Sequence, residues 1–128
     1  MLKKLSYLAI SFLLFWTPNV SLAQDNVNSE FRGKYNHSLQ CGAYMGNFTI
    51  LAQKIDDQKL AVAFEAATER YMYEIVNYGG KLGMTKDDAV DELKKLAASL
   101  EKGRSGYSEK DIANMTKFCA PEILPLLE

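Results

Sequence analysis

The chain is expected to fold as an all-α protein, most simply an up-down four-helix bundle, and three observations lead there. Apolar residues recur at alternating steps of three and four in four successive segments, which is the period of an amphipathic helix. No stretch alternates apolar and polar residues as a half-buried strand would. The two cysteines, Cys41 and Cys119, fall near the start of the first segment and the end of the fourth. Antiparallel first and last helices bring those two positions to one end of a bundle.

Before the first helix, M-L-K-K-L-S-Y-L-A-I-S-F-L-L-F-W-T-P-N-V-S-L-A-Q carries Lys3 and Lys4, an apolar run from Leu5 to Trp16, Pro18, and small residues Ser21 and Ala23 before Gln24. That is the pattern of a secretory signal, with cleavage expected after Ala23. The apolar run is shorter than the roughly 20 residues that span a bilayer, so an uncleaved anchor is the weaker reading. Residues 24–35 are polar, lack periodicity and read as a flexible leader, with the helical domain at 36–128. Removing 23 of 128 residues leaves 105, enough for one small domain with little surplus stability.

The first helix begins near Asn36, with Ser38 as a candidate N-cap, and its stripe is Cys41, Tyr44, Met45, Phe48, Leu51, Ala52 and Ile55. Asp56 and Asp57 mark its end or a bend. The second runs from Gln58 to Tyr78 on Leu60, Ala63, Phe64, Ala67, Tyr71, Ile75 and Tyr78, with the Gly79-Gly80 pair and Gly83 as its expected left-handed cap. Thr85 followed by Asp88 starts the third, whose stripe is Ala89, Val90, Leu93, Leu96, Ala97 and Leu100, and Lys102-Gly103 closes it. Ser108 with Asp111 starts the fourth on Ile112, Met115, Phe118 and Cys119, and Pro121 ends it or opens a short turn carrying Ile123, Leu124 and Leu127.

An even cysteine count in an exported chain predicts a disulfide, Cys41 to Cys119. A redox role would need C-x-x-C or an adjacent base, and the sequence has neither. Without the two signal lysines, 13 cations stand against 16 acids, a net of −3 with no basic block, so there is no electrostatic case for nucleic acid. His37 is the single histidine, which leaves a catalytic triad or a zinc site short of parts. The absence of C-x-x-C-H excludes covalent haem, no E-x-x-H pair exists for a di-iron site, and no cofactor is expected. The acids Glu65, Glu69, Asp87, Asp88, Asp91 and Glu92 read as solvated helix faces and favourable charge near a helix start. The three N-x-[ST] triplets read as coincidence in a chain whose start looks bacterial.

The aromatic usage points to binding. In Y-M-Y-E-I-V-N-Y, Tyr73 is rotated about 200° from Tyr71 and so faces away from the core stripe. Exposed tyrosine is an interface residue type. Tyr73, Tyr78, Lys81, Arg104 and Tyr107 are the candidate protein-binding residues, although an up-down order puts the loops 79–84 and 103–107 at opposite ends. Gly42 and Gly46, four apart on one face, would admit a close helix, from this chain or from a second copy, so a homodimer stays open.

Cys41-Gly42-Ala43-Tyr44-Met45-Gly46 and Phe118-Cys119-Ala120-Pro121 are similar to motifs of the exported Tai/Rap-type immunity proteins of type VI secretion. The resemblance covers about ten residues, and no binding residues are carried over from it. It implies a periplasmic, non-enzymatic binding protein that neutralises a peptidoglycan hydrolase or toxin effector. The alternative is a periplasmic stress chaperone or envelope housekeeping factor, since 16 acids and one histidine would make the chain strongly cationic in acid.

Overall fold

The computed structural model describes the backbone of residues 2–102 and 106–128, and the side chains of 28–101 and 106–128. Helix α1 (Leu2–Lys54) is followed by α2 (Gln58–Lys81), α3 (Lys86–Lys102), α4 (Glu109–Cys119) and a terminal 3₁₀ segment, η1 (Pro121–Leu127). The architecture is all-helical, and no strand occurs among the described residues. None of its described helices is long and apolar enough to cross a membrane.

Helices α1 and α2 form an antiparallel hairpin that supplies most of the core. Its turn is built by two aspartates. Asp56 adopts a left-handed φ of 58°, a conformation aspartate tolerates better than most residues, and the Asp57 carboxylate accepts from the Leu60 N–H at 3.1 Å as the N-cap of α2. From that turn Phe48 packs edge-on to Phe64 at 5.5 Å, and Ser38 donates to Glu74 at 2.9 Å. Two apolar clusters flank the hairpin. One joins Cys41, Tyr44, Met45 and Phe48 to Leu60, Phe64, Cys119 and Ile123. The other joins Tyr35, Ala43 and Ile75 to Ala89 and Leu93 of α3. Among the described residues α3 and α4 do not approach each other, and α1 touches every other α-helix.

Several expectations are corrected. The backbone of 24–35 is helical, and Tyr35 is 1% exposed, so the packed part of α1 begins before Asn36. Polar residues hid this: Val27, Phe31 and Tyr35, four apart, stand among nine polar residues or glycine, too sparse a stripe to stand out. Ser38 is therefore buried mid-helix rather than an N-cap. The Gly79-Gly80 pair lies inside α2. Only Gly83 is left-handed, at φ 84°, and it closes α2 by passing the Met84 N–H to the Gly79 carbonyl at 2.8 Å and its own N–H to Gly80 at 3.1 Å. Gly79 serves packing instead: a Cβ there would meet the Ala89 Cβ and the Tyr35 ring, both at 3.3 Å. Ile55 and Phe118, placed on core stripes by their spacing, are 69% and 60% exposed: Ile55 lies in the turn just past the end of α1, and Phe118 in the last turn of α4.

The starts of α3 and α4 follow the sequence. Thr85 accepts from the Asp88 N–H at 3.1 Å, and Ser108 and Asp111 form a reciprocal capping box. Cys41 and Cys119 are disulfide-bonded, with Cα atoms 5.4 Å apart, tying α1 to the end of α4.

Candidate protein-binding surface

The buried face of α2 carries Leu60, Phe64, Ala67, Tyr71 and Ile75. At 100° per residue, the opposite side of the helix carries Val62, Ala66, Glu69, Tyr73, Val76 and Gly80, spaced four, three, four, three and four. All six lie within about 40° of one line along the helix. Five are exposed and Val76 is half-buried; Val62 is 62% and Tyr73 83% exposed. A solvent-facing helix side is ordinarily charged, yet this one holds a single charge, Glu69.

The rim of this face is tied to the C-terminal segment. Arg70 reaches across to the C-terminal segment, donating to Glu122 at 2.9 Å and to the Cys119 carbonyl at 3.2 Å, with its guanidinium 5.1 Å from the Tyr71 ring centroid. The Tyr71 hydroxyl donates to the same carbonyl. Burial raises the Tyr71 hydroxyl above the usual tyrosine range, with Arg70 pulling the other way. Burial works against the Arg70 charge, but hydrogen bonds to Glu122 and Tyr71 hold its pKa above the ordinary value. Glu122 is lowered by its own backbone N–H and then by Arg70. At this end His37 and Phe118 meet edge-on at 5.1 Å beside the disulfide, with the His37 Nε2 3.9 Å from the Cys41 sulfur. Leu126 of η1, also exposed, shares with Gln58, Lys59 and Val62 a shallow groove of about 420 Å³ that continues the α2 face.

The candidate residues named from the sequence do not form one surface. Tyr73 lies at the centre of the α2 face. Tyr78 is half-buried, 6.4 Å from Phe31 and with the Lys34 ammonium 5.8 Å from its ring. Lys81 lines a polar groove of about 390 Å³ with Asn28, Ser29, Arg32 and Leu82. Tyr107 is at the other end of the α1–α2 hairpin, half-buried edge-on to Phe48 at 5.1 Å, and its hydroxyl accepts from Asn47 at 3.1 Å. Arg104 lies outside the described residues. Sequence reasoning found Tyr73 but missed Val62, Ala66, Val76 and Gly80. The signal was a second three-and-four stripe on α2, masked by the stronger one across the helix.

Among the described residues no group of three or more His, Cys, Asp or Glu side chains is placed to hold a metal ion. Comparison with protein-family models, with curated proteins and with solved structures finds no match for this chain.

Proposed function

We propose that this is a periplasmic, non-enzymatic protein-binding module: a helical bundle in up-down order, locked by Cys41–Cys119, that docks another protein on the outward face of α2. The observation that carries the reading is Tyr73, 83% exposed at the centre of an otherwise nearly uncharged stripe. Tyrosine offers a large contact area for little lost side-chain freedom, and a pre-organised helix adds little ordering cost on binding. The partner class is a cell-wall hydrolase or secreted effector, following the likeness of the Cys-Gly-Ala-Tyr-Met-Gly and Phe-Cys-Ala-Pro segments to exported immunity proteins. Neutralisation by steric occlusion needs only a rigid, complementary surface.

The test is inhibition of purified peptidoglycan hydrolases, of glycosidase and amidase type, in a cell-wall clearing assay. The wild-type protein should inhibit at least one of them, and Tyr73→Ala and Val62→Asp should raise the inhibitory concentration by about tenfold or more. Equal inhibition by all three proteins would remove the α2 face from the reading, and no inhibition of any hydrolase would remove the partner class.

A further inference from the structure

The stripe on α2 is complementary to itself. We infer that the helix it accepts is α2 of a second copy, lying antiparallel across a two-fold axis that passes at the level of residue 71. This rests on the proposed docking role of the face and names an occupant for it.

Size and polarity match along the stripe. About that axis, residues whose numbers sum to 142 face each other. Val62 then lies against Gly80 of the second copy, Ala66 against its Val76, and Glu69 against its Tyr73. Each layer pairs a larger side chain with a smaller one or a donor with an acceptor, as antiparallel helices packing at alternating steps require. Gly80 has nothing within 4 Å of where a Cβ would stand, so its bare backbone is free to receive the valine. The single charge on the stripe meets the single hydroxyl, and a tyrosine donating to a glutamate across helices already occurs in this molecule between Tyr35 and Glu92.

Other registers lose this match. An axis at Glu69 brings two carboxylates together in a region being desolvated. An axis at Tyr73 carries Val62 past the end of the second copy's stripe, opposite residue 84. The axis at residue 71 avoids both.

From Val62 to Gly80 a helix runs about 27 Å, and a single helix pair of that length buries less than the ~1,200 Å² at the low end of stable interfaces. The pair is therefore weak, with dissociation on the order of tens to hundreds of micromolar. A weak pair suits the proposed role. It shields the apolar stripe while the protein is alone, and a partner with a standard-size interface displaces it.

Sedimentation velocity of the mature protein from about 10 µM to about 1 mM, the span over which such a pair dissociates, tests this. The mass should rise from monomer toward dimer over that span. Gly80→Val, open space in the monomer, should weaken association at least about tenfold by colliding with Val62 of the second copy, and Tyr73→Glu should do the same by setting a carboxylate against Glu69. Circular dichroism should show both variants folded. A chain that stays monomeric at about 1 mM, or a Gly80→Val variant that associates as the wild type does, overturns the self-pairing. A monomeric protein that still loses hydrolase inhibition on Tyr73→Ala overturns the self-pairing while the docking role stands.

Discussion

Gly42 and Gly46 lie one turn apart on α1 and look equivalent in the sequence, yet the fold treats them differently. A Cβ on Gly42 would stand 3.2 Å from the Leu93 Cδ1 and 3.3 Å from both the Ile75 Cδ1 and the Tyr71 Cβ, inside the usual 3.5–4.0 Å contact distance. Leu93 and Ile75 can rotate. The Tyr71 Cβ cannot, because it moves only with the backbone of α2. A Cβ on Gly46 would meet one atom, the Thr68 Cγ2, at an ordinary 3.7 Å. Overpacking costs about 1–3 kcal/mol, and replacing a mid-helix glycine by alanine returns about 1 kcal/mol. Gly42→Ala should therefore lose about 1 kcal/mol and Gly46→Ala should gain about as much. The chemical change is the same in both, so effects on the unfolded chain cancel between them. A gap of about 2 kcal/mol corresponds to melting temperatures about 10 °C apart for a domain of this size. Thermal and urea unfolding followed by circular dichroism read it directly. A Gly42→Ala protein as stable as Gly46→Ala would refute the close approach of α1, α2 and α3 at residue 42.

Removing the disulfide by Cys41→Ala with Cys119→Ala opens a loop spanning 78 positions, which chain entropy values at about 4.5 kcal/mol, and the melting temperature should fall by roughly 20 °C. Because both sulfurs are buried, the native protein should resist a mild reductant until it is partly unfolded, as thiol labelling would show. Asn47 donates to the Ala97 carbonyl and the Tyr107 hydroxyl, both at 3.1 Å, so Asn47→Ala should cost about 1–3 kcal/mol in urea unfolding. Tyr35 and Tyr71 have raised folded pKa values, Tyr35 through burial and then its bond to Glu92, Tyr71 chiefly through burial. Their contribution is complete below the free tyrosine value of 10.0 and is lost as pH rises above it, because the unfolded chain releases those protons first. Urea midpoints should fall above about pH 10, and less steeply in Tyr35→Phe; a midpoint unchanged up to about pH 11 would show that neither hydroxyl is held protonated by the fold.

Much of the fold was legible because helix ends are local events. Thr85-Asp88 and Ser108-Asp111 satisfy N–H groups within one turn, and Gly83 takes a φ that other residues resist, so few distant atoms bear on them. The pairing of Cys41 with Cys119 was legible for another reason, since two cysteines allow one intramolecular bridge. The candidate site was less legible. Tyr73 could be read as outward-facing from its angle to Tyr71, but Tyr107, equally aromatic and loop-borne, is held half-buried by Tyr44, Phe48 and Asn47 from α1.

By itself the sequence determined that this chain is helical, where most of the helices start and stop, and which two residues are bridged. Those follow from periodicity, capping and valence, which act over one turn or through one bond. Tertiary structure alone decided that Tyr35 belongs to the core, that Gly79 is a packing site rather than a cap, and which of the two stripes on α2 is covered. The helical period marks the faces a helix could bury; only the helices packed around it decide which one is left exposed.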